Sequence, residues 1–71
     1  MTNKSLLESA IKRSGFKKEY LAKELNITPQ SLGNKISGRT EFTLSEVNRL
    51  VRLLNLGMRE REDIFFTKYV L

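Results

Sequence analysis

Residues that end helices divide this 71-residue chain into short segments, and this division limits the possible folds more than any other feature. Gly15, Asn26, Gly38 and Gly57 separate stretches in which apolar residues recur every three or four positions, the spacing of an amphipathic helix. We therefore predict five helices, over residues 3–14, 18–25, 29–37 and 58–66, with the fourth beginning at residue 44 and ended by Asn55 or Gly57. Five short helices around one core make a small all-α domain.

The residues that precede these segments are typical helix caps. The fourth segment begins at a capping box formed by Thr43 and Glu46. The first segment has several candidate caps: Ser5 begins a capping-box spacing, and Thr2 or Asn3 would also serve. The inner faces of the helices are predicted to contain Leu6, Ile11, Leu21, Leu25, Leu32, Val47, Leu50 and Leu54.

The composition excludes several classes of function. The chain has no cysteine and no histidine, so we expect no disulfide, no zinc site and none of the usual general bases near neutral pH. No nucleophile–base pair can be assembled, so we expect no enzyme, no cofactor and no small-molecule ligand. The apolar runs are far shorter than the roughly 20 residues of a membrane span, and no signal-peptide pattern is present. We therefore expect a cytoplasmic protein with no membrane partner.

Positive charge is concentrated in the first half of the chain. The net charge is +5, from 13 basic and eight acidic residues. Residues 1–39 contain eight basic and three acidic residues, which gives +5, whereas residues 40–71 contain five of each sign. This asymmetry favours a polyanion partner on that side, although a role in solubility alone would give the same composition.

The second and third predicted helices have helix-turn-helix spacing, with a three-residue turn over residues 26–28. Leu32 and Ile36 are four residues apart and point inward together, which leaves Gln30 and Asn34 on the opposite face. Gln and Asn can each bind adenine N6 and N7 in the DNA major groove, where the second helix of this motif lies. The alternative is that this face is ordinary solvated surface.

Residues 18–56 resemble the helix-turn-helix of the Cro/repressor family of phage and bacterial regulators. The resemblance rests on Leu21-Ala22, Leu25-Asn26-Ile27-Thr28, Leu32, Gly38 and Leu53-Leu54-Asn55-Leu56. The stretch from Ser31 to Glu46 is most similar to the short Cro-type regulators of temperate phages. The resemblance implies a lambda-repressor-like fold with a central helix-turn-helix that binds double-stranded DNA and regulates transcription.

The resemblance also implies two sets of DNA contacts. The base-reading positions of the family match Pro29, Gln30, Gly33 and Asn34. The backbone contacts match Lys18, Arg39 and Thr40, to which we add the neighbouring and turn residues Lys17, Thr28, Ser31, Lys35 and Ser37. The chain departs from the family where many members have Gln in place of Lys18, a side chain in place of Gly33, and a buried Arg–Glu pair in place of Ile11 and Ile36.

The chain is predicted to consist of a helix-turn-helix domain over residues 1–66 and a C-terminal tail over residues 67–71. The tail is rich in residues that favour an extended strand, which would either fray or pair with a second copy. Apolar residues near this end are numerous for a chain terminus. We predict that a dimer contact is formed by Phe65, Phe66, Tyr69, Val70 and Leu71.

Together these features predict a sequence-specific repressor that occludes a palindromic operator as a homodimer, because one such module reads only a few base pairs. The alternative is a protein-binding modulator that uses the same fold to dock on a partner repressor. Specific DNA binding by the isolated chain would distinguish the two.

Overall fold

The computed structural model describes residues 2–66 and places five α-helices within them. These are α1 (Lys4–Ser14), α2 (Lys18–Glu24), α3 (Pro29–Ser37), α4 (Leu44–Leu53) and α5 (Met58–Phe65). The described residues contain no strand, and the all-α prediction is confirmed. The predicted extended tail over residues 67–71 lies outside the described part of the chain. No helix within residues 2–66 is both long and apolar enough to cross a membrane.

The predicted helix bounds agree with the structure to within one residue, if the earlier of the two predicted ends, Asn55, is taken for α4. α1 begins one residue later than predicted because Asn3 is its N-cap and accepts a hydrogen bond from the Leu6 amide at 3.1 Å, so the spacing at Ser5 is not used. The capping box of α4 is confirmed, since Thr43 Oγ1 accepts from the Glu46 amide at 3.1 Å and the carboxylate accepts from the Thr43 amide at 2.9 Å. α2, α4 and α5 each end one residue earlier than predicted.

Two helices end at an asparagine in the left-handed conformation. Asn26 follows α2 with φ 60°, and Asn55 follows α4 with φ 53°. After Asn26, the Ile27 amide donates to the Ala22 carbonyl at 3.0 Å, and the equivalent bond after Asn55 spans 2.9 Å. This is the hydrogen-bond pattern of the Schellman motif, and it turns the chain sharply toward the next helix.

α1 ends through a side chain instead. Gly15 is left-handed with φ 78°, as predicted. The Ser14 hydroxyl donates to the Ile11 carbonyl at 2.6 Å and accepts from the Phe16 amide at 3.1 Å. In a Schellman motif the Phe16 amide would donate directly to the Ile11 carbonyl. Here the Ser14 hydroxyl lies between these two groups and fixes the direction in which the chain leaves α1.

One apolar core joins the five helices. It consists of Leu7, Ala10, Ile11, Leu21, Ala22, Leu25, Leu32, Ile36, Val47, Leu50, Leu54, Leu56, Ile64 and Phe65. Leu6 was predicted to be in the core but is 42% exposed, because its neighbour Leu7 takes the inward position. Ile11 and Ile36, the positions at which the resemblance implies a buried ion pair in many relatives, are both buried in the apolar core, and α1 packs on α3.

The two ends of the described chain are held together by α1 and α5. The Asn3 amide donates to the Ile64 carbonyl at 2.6 Å, and Arg13 forms an ion pair with Glu60 at 2.5 Å. α1 also packs against α3, and α3 packs against α2. α3 is therefore held by two neighbouring helices, and its remaining face lies at the surface.

Candidate nucleic-acid interface

Both ends of α3 are closed by local hydrogen bonds. At the first turn, Thr28 Oγ1 accepts from the Ser31 amide at 3.0 Å. At the last turn, Gly38 is left-handed with φ 87°, and the Arg39 amide donates to the Asn34 carbonyl at 2.9 Å. These bonds form an N-cap and a Schellman motif, so the nine residues of the helix present a fixed surface.

The predicted base-reading residues lie on the surface of α3. Pro29, Gln30 and Gly33 are exposed, and Asn34 is half-buried. The two buried side chains of α3 occupy the opposite face. Successive residues of a helix are rotated by about 100°, so Gln30 and Asn34 lie one turn apart and point in similar directions. Two amide side chains are therefore presented together to solvent.

Gly33 leaves an open gap beside these two amides. Apart from its chain neighbours and the backbone of α3, a Cβ atom at Gly33 would meet no atom within 4 Å. Neither packing nor a left-handed φ requires glycine here, because the positive-φ glycines are Gly15 and Gly38. A glycine inside a helix costs about 1 kcal/mol relative to alanine. The missing side chain does allow a ligand surface to approach the α3 backbone.

The loop after α3 carries two further predicted contacts, Arg39 and Thr40, which are both exposed. The Thr40 amide donates to the Asn34 carbonyl at 3.4 Å, and the Ser37 hydroxyl donates to the same carbonyl at 3.0 Å. Arg39 forms no ion pair within residues 2–66, so its guanidinium is available to an anion.

Lys17 and Lys18 stand at the start of α2, and both are exposed. Within the described residues Lys17 forms no ion pair, whereas Lys18 Nζ lies 3.0 Å from a Glu8 carboxylate oxygen. Both partners of this pair are accessible to water, where an ion pair contributes about 0–1 kcal/mol. A phosphate could therefore replace the Glu8 carboxylate at little cost.

The pattern of ion pairs strengthens the charge asymmetry of the sequence. Three arginines of α4 and α5 are paired with acidic residues: Arg49 with Glu24, Arg59 with Asp63, and Arg61 with Glu62. In residues 2–66 the basic side chains without an ion pair are Lys4, Lys12, Lys17, Lys23, Arg39 and Arg52. All but Arg52 precede residue 40, so the uncompensated positive charge belongs to the half of the chain that contains α3.

Lys23 is a candidate contact that was not predicted from the sequence. It is exposed in the last turn of α2 and, with Asn26 and Pro29, lines a shallow cavity of about 500 Å³ at the start of α3. Glu19 lines the same cavity and reduces its positive charge. Lys23 lies three residues before the turn, and the end of the first helix meets the start of the second in this motif. The position of Lys23 in the sequence could therefore have identified it as a candidate contact.

Lys35 is placed differently from the other predicted backbone contacts. Its side chain is only 13% exposed, and its Nζ lies 2.7 Å from Oε1 of Glu46, which is 14% exposed. Burial acts to raise the pKa of Glu46, but hydrogen bonds from Lys35 and the Thr43 amide, with the charge of Lys35, hold this pKa below its usual value of 4.5. In this structure the ammonium group of Lys35 is therefore bonded within the protein, in a pair far less exposed than that of Lys18 and Glu8, and its contact with a phosphate stays a prediction.

The predicted dimer contact lies only partly on the described surface. Phe65 is 5% exposed and packs edge-to-face on Phe42, with ring centroids 5.6 Å apart. Phe65 is therefore a core residue, which corrects its place in the predicted contact. Phe66 is 37% exposed, and the Arg61 guanidinium lies 4.8 Å from its ring centroid. The remaining members, Tyr69, Val70 and Leu71, lie outside the described residues.

The helix pair α2–α3, with its exposed second helix, defines a protein of the helix-turn-helix class. A helix-turn-helix family model matches residues 7–61, which include all of α2, α3 and α4. The chain belongs to this helix-turn-helix family, which is of the Cro/C1 type. Membership supports DNA binding and a role in transcription regulation. No curated protein and no solved structure matches the chain.

Proposed function

We propose that this chain is a transcriptional repressor that binds a specific sequence of double-stranded DNA and acts by occluding its operator. The outward face of α3 carries the proposal. It presents Gln30 and Asn34 on a helix that is closed at both ends, and Arg39 follows without an ion pair in the described residues. A rigid helix with paired amide side chains beside free cations suits a groove lined by base edges and phosphates.

In this proposal α3 lies in the major groove of the operator. Gln30 and Asn34 read adenine edges, and Gly33 lets the helix backbone approach the bases. Lys17 and Arg39 hold phosphates, and Lys18 exchanges Glu8 for a phosphate. Neutral phosphate contacts come from the hydroxyl groups and adjacent backbone amides of Thr28, Ser31, Ser37 and Thr40. Occlusion requires no chemistry beyond binding.

We further propose that the repressor is a homodimer formed through the C-terminal end of the chain. Exposed apolar side chains support this proposal. Phe66 and Leu44 border a cavity of about 210 Å³ that is also lined by Phe42 and Val47. Sedimentation equilibrium tests it. Phe66→Ser is expected to shift the full chain toward monomer, whereas Met58→Ser, an exposed apolar residue at the other end of α5, is expected to leave the association unchanged.

Selection from a random duplex library with the purified full chain at near-physiological salt tests the main proposal. Enrichment of a palindrome supports a dimeric repressor and gives its operator. Enrichment of a single half-site supports a monomeric reader and removes the dimer. Weak, salt-sensitive retention of all sequences contradicts the proposal and favours a modulator that docks on a partner repressor.

Two substitutions then separate base reading from phosphate binding. Asn34→Ala is expected to relax the preference at one position of the selected site by about 1–3 kcal/mol. Lys17→Ala is expected to weaken all sequences alike and to reduce the slope of log K against log salt by about 0.9. Arg59→Ala, which removes an exposed charge from α5, serves as the control and is expected to change neither quantity appreciably. Equal losses on all sequences from Asn34→Ala would contradict base reading.

A further inference from the structure

One ion pair of the described chain differs from the rest. In five of the six pairs within residues 2–66, at least one side chain is more than half exposed. In the sixth, Lys35 and Glu46 are 13% and 14% exposed. Removing two charges from water is costly, and an apolar pair of similar volume is often as stable or more stable. Stability alone therefore gives no strong reason for this pair.

The pair connects three parts of the structure at one point. Lys35 Nζ, on the last turn of α3, donates to Glu46 Oε1 at 2.7 Å and approaches the Glu41 carbonyl at 3.4 Å. The same Glu46 oxygen accepts from the Thr43 amide at 2.9 Å, at the start of α4. Glu46, on α4, thus joins α3 through Lys35 and the end of the loop through Thr43, and Lys35 also reaches the loop at Glu41. Arg39 lies in that loop.

We propose that Lys35 and Glu46 are positioning residues for DNA binding, which hold the loop over residues 38–43 against α3 without contacting DNA themselves. This inference rests on the proposed function, in which α3 reads bases and Arg39 holds a phosphate. Two sites that must fit the same duplex need a fixed separation and angle. The Gly38 Schellman motif fixes one end of the loop, and the Lys35–Glu46 pair fixes the other.

The competing interpretation is that Lys35 leaves Glu46 and binds a phosphate. The two interpretations differ in the sign of the Glu46 effect and in their dependence on Arg39. A lysine that binds a phosphate itself weakens binding when it is lost whether or not Arg39 is present, whereas a positioning residue that acts through Arg39 has little further effect once Arg39 is alanine. Removing the Glu46 charge should strengthen binding if only the net charge near DNA matters, but it should weaken binding if Glu46 holds the loop.

The binding experiment measures Kd on the selected duplex for Lys35→Met and Glu46→Gln, each in the wild type and in Arg39→Ala. We expect Lys35→Met and Glu46→Gln each to weaken binding by about tenfold in the wild type, the effect of one misplaced contact, and to have little further effect in Arg39→Ala. Arg39→Ala itself is expected to weaken binding and to lower the salt slope by about 0.9. An undiminished loss from Lys35→Met in the Arg39→Ala protein, or tighter binding in Glu46→Gln, would overturn the proposal.

A second experiment tests the positioning role on the free protein. Amide hydrogen exchange is measured for Arg39 and Thr43, whose amides are bonded to Asn34 and Glu46. We expect faster exchange at these amides in Lys35→Met. Arg49→Met, which breaks the exposed pair between Arg49 and Glu24, is expected to leave them unchanged. Unchanged exchange in Lys35→Met would overturn the positioning role whether or not the wild type binds DNA.

The two experiments distinguish failure of the proposed DNA-binding function from failure of the positioning role of Lys35 and Glu46. If the wild type binds no specific sequence, the proposed function fails, and hydrogen exchange still decides whether the pair fixes the loop. If Lys35→Met does not fold, the double variant Lys35→Met/Glu46→Leu replaces the pair with apolar side chains of similar size and restores a measurable protein. Because the apolar pair is expected to hold the loop, this double variant should keep the wild-type salt slope, and a lower slope would indicate that Lys35 contacts a phosphate.

Discussion

Substituting Gly33 with alanine is expected to raise stability and weaken DNA binding at the same time. Gly33 is the fifth of nine residues in α3, and an added Cβ meets no atom within 4 Å apart from its chain neighbours and the backbone of α3. The methyl group therefore causes no clash in the free protein. Alanine is favoured over glycine inside a helix by about 0.8–1.0 kcal/mol. In a domain of this size, about 1 kcal/mol corresponds to a rise in Tm of about 4–8 °C.

The effect on binding follows from the proposed approach of DNA to the same point. A methyl group forced into a close-packed contact costs about 1–3 kcal/mol, which is a loss of affinity of about 5- to 150-fold. Thermal unfolding by circular dichroism measures the first effect, and fluorescence anisotropy on the selected duplex measures the second. Ser9→Ala is the matched control, because Ser9 is exposed within α1. It is expected to raise stability by about 0.5 kcal/mol without changing affinity.

The Tm of Gly33→Ala and its DNA affinity can each contradict this prediction. A fall in Tm for Gly33→Ala would mean that the space beside Gly33 is not open in the folded protein. A higher Tm with unchanged affinity would mean that DNA does not approach α3 at this position, and the base contacts would then have to come from longer side chains alone.

Three further predictions concern stability and charge. Because the pKa of Glu46 is lowered on folding from its usual value of 4.5, its contribution is present above pH 4.5 and is lost as pH falls through the lowered pKa; urea unfolding should show the wild type losing its advantage over Glu46→Gln as pH falls below 4.5. Asn55 is left-handed, so Asn55→Ala is expected to lower the free energy of unfolding by about 1 kcal/mol while Asn55→Gly does not; equal losses would contradict the cap. Glu8→Gln releases Lys18 from its ion pair and is expected to raise DNA affinity by up to about fivefold; unchanged affinity would place Lys18 away from DNA.

The features that were predicted correctly from the sequence depend on residues close together in the chain. Thr28 and Thr43 cap helices through bonds that span three residues, and Gly15 and Asn26 stop helices through their own backbone conformation. Such local preferences operate whatever the rest of the chain does. The positions of the helices and the helix-turn-helix spacing can therefore be predicted from the sequence without knowledge of how the helices pack.

The features that could not be predicted depend on how the helices pack. Leu6 and Leu7 are adjacent and equally apolar, and only the angle of α1 decides which of them is buried. Phe65 and Phe66 pose the same choice at the end of α5. Adjacent positions on a helix differ by about 100°, so a small error in orientation exchanges core and surface.

The sequence predicts candidate contact residues but not how they pair within the protein. Gln30 and Asn34 follow from helical spacing; in the structure Gln30 is exposed and Asn34 is half-buried, and their contact with bases stays a prediction. Lys35 and Lys17 are both lysines close to the helix-turn-helix, and the sequence does not distinguish them. In the structure Lys35 is largely buried in an ion pair with Glu46, whereas Lys17 forms no ion pair within the described residues. Glu46 is 11 residues from Lys35, and no pattern in the sequence brings two such residues together across a loop.

The closed ends of α3 also determine how the heat of DNA binding would depend on temperature. The Thr28 cap and the Gly38 Schellman motif are already formed in the free protein. The backbone of α3 therefore does not have to become ordered when DNA binds. The entropic cost then falls on a few side chains, at about 0.5–1.5 kcal/mol for each one immobilised. The heat-capacity change of binding should accordingly follow the apolar surface removed from water, without the large additional contribution of a segment that folds on its target.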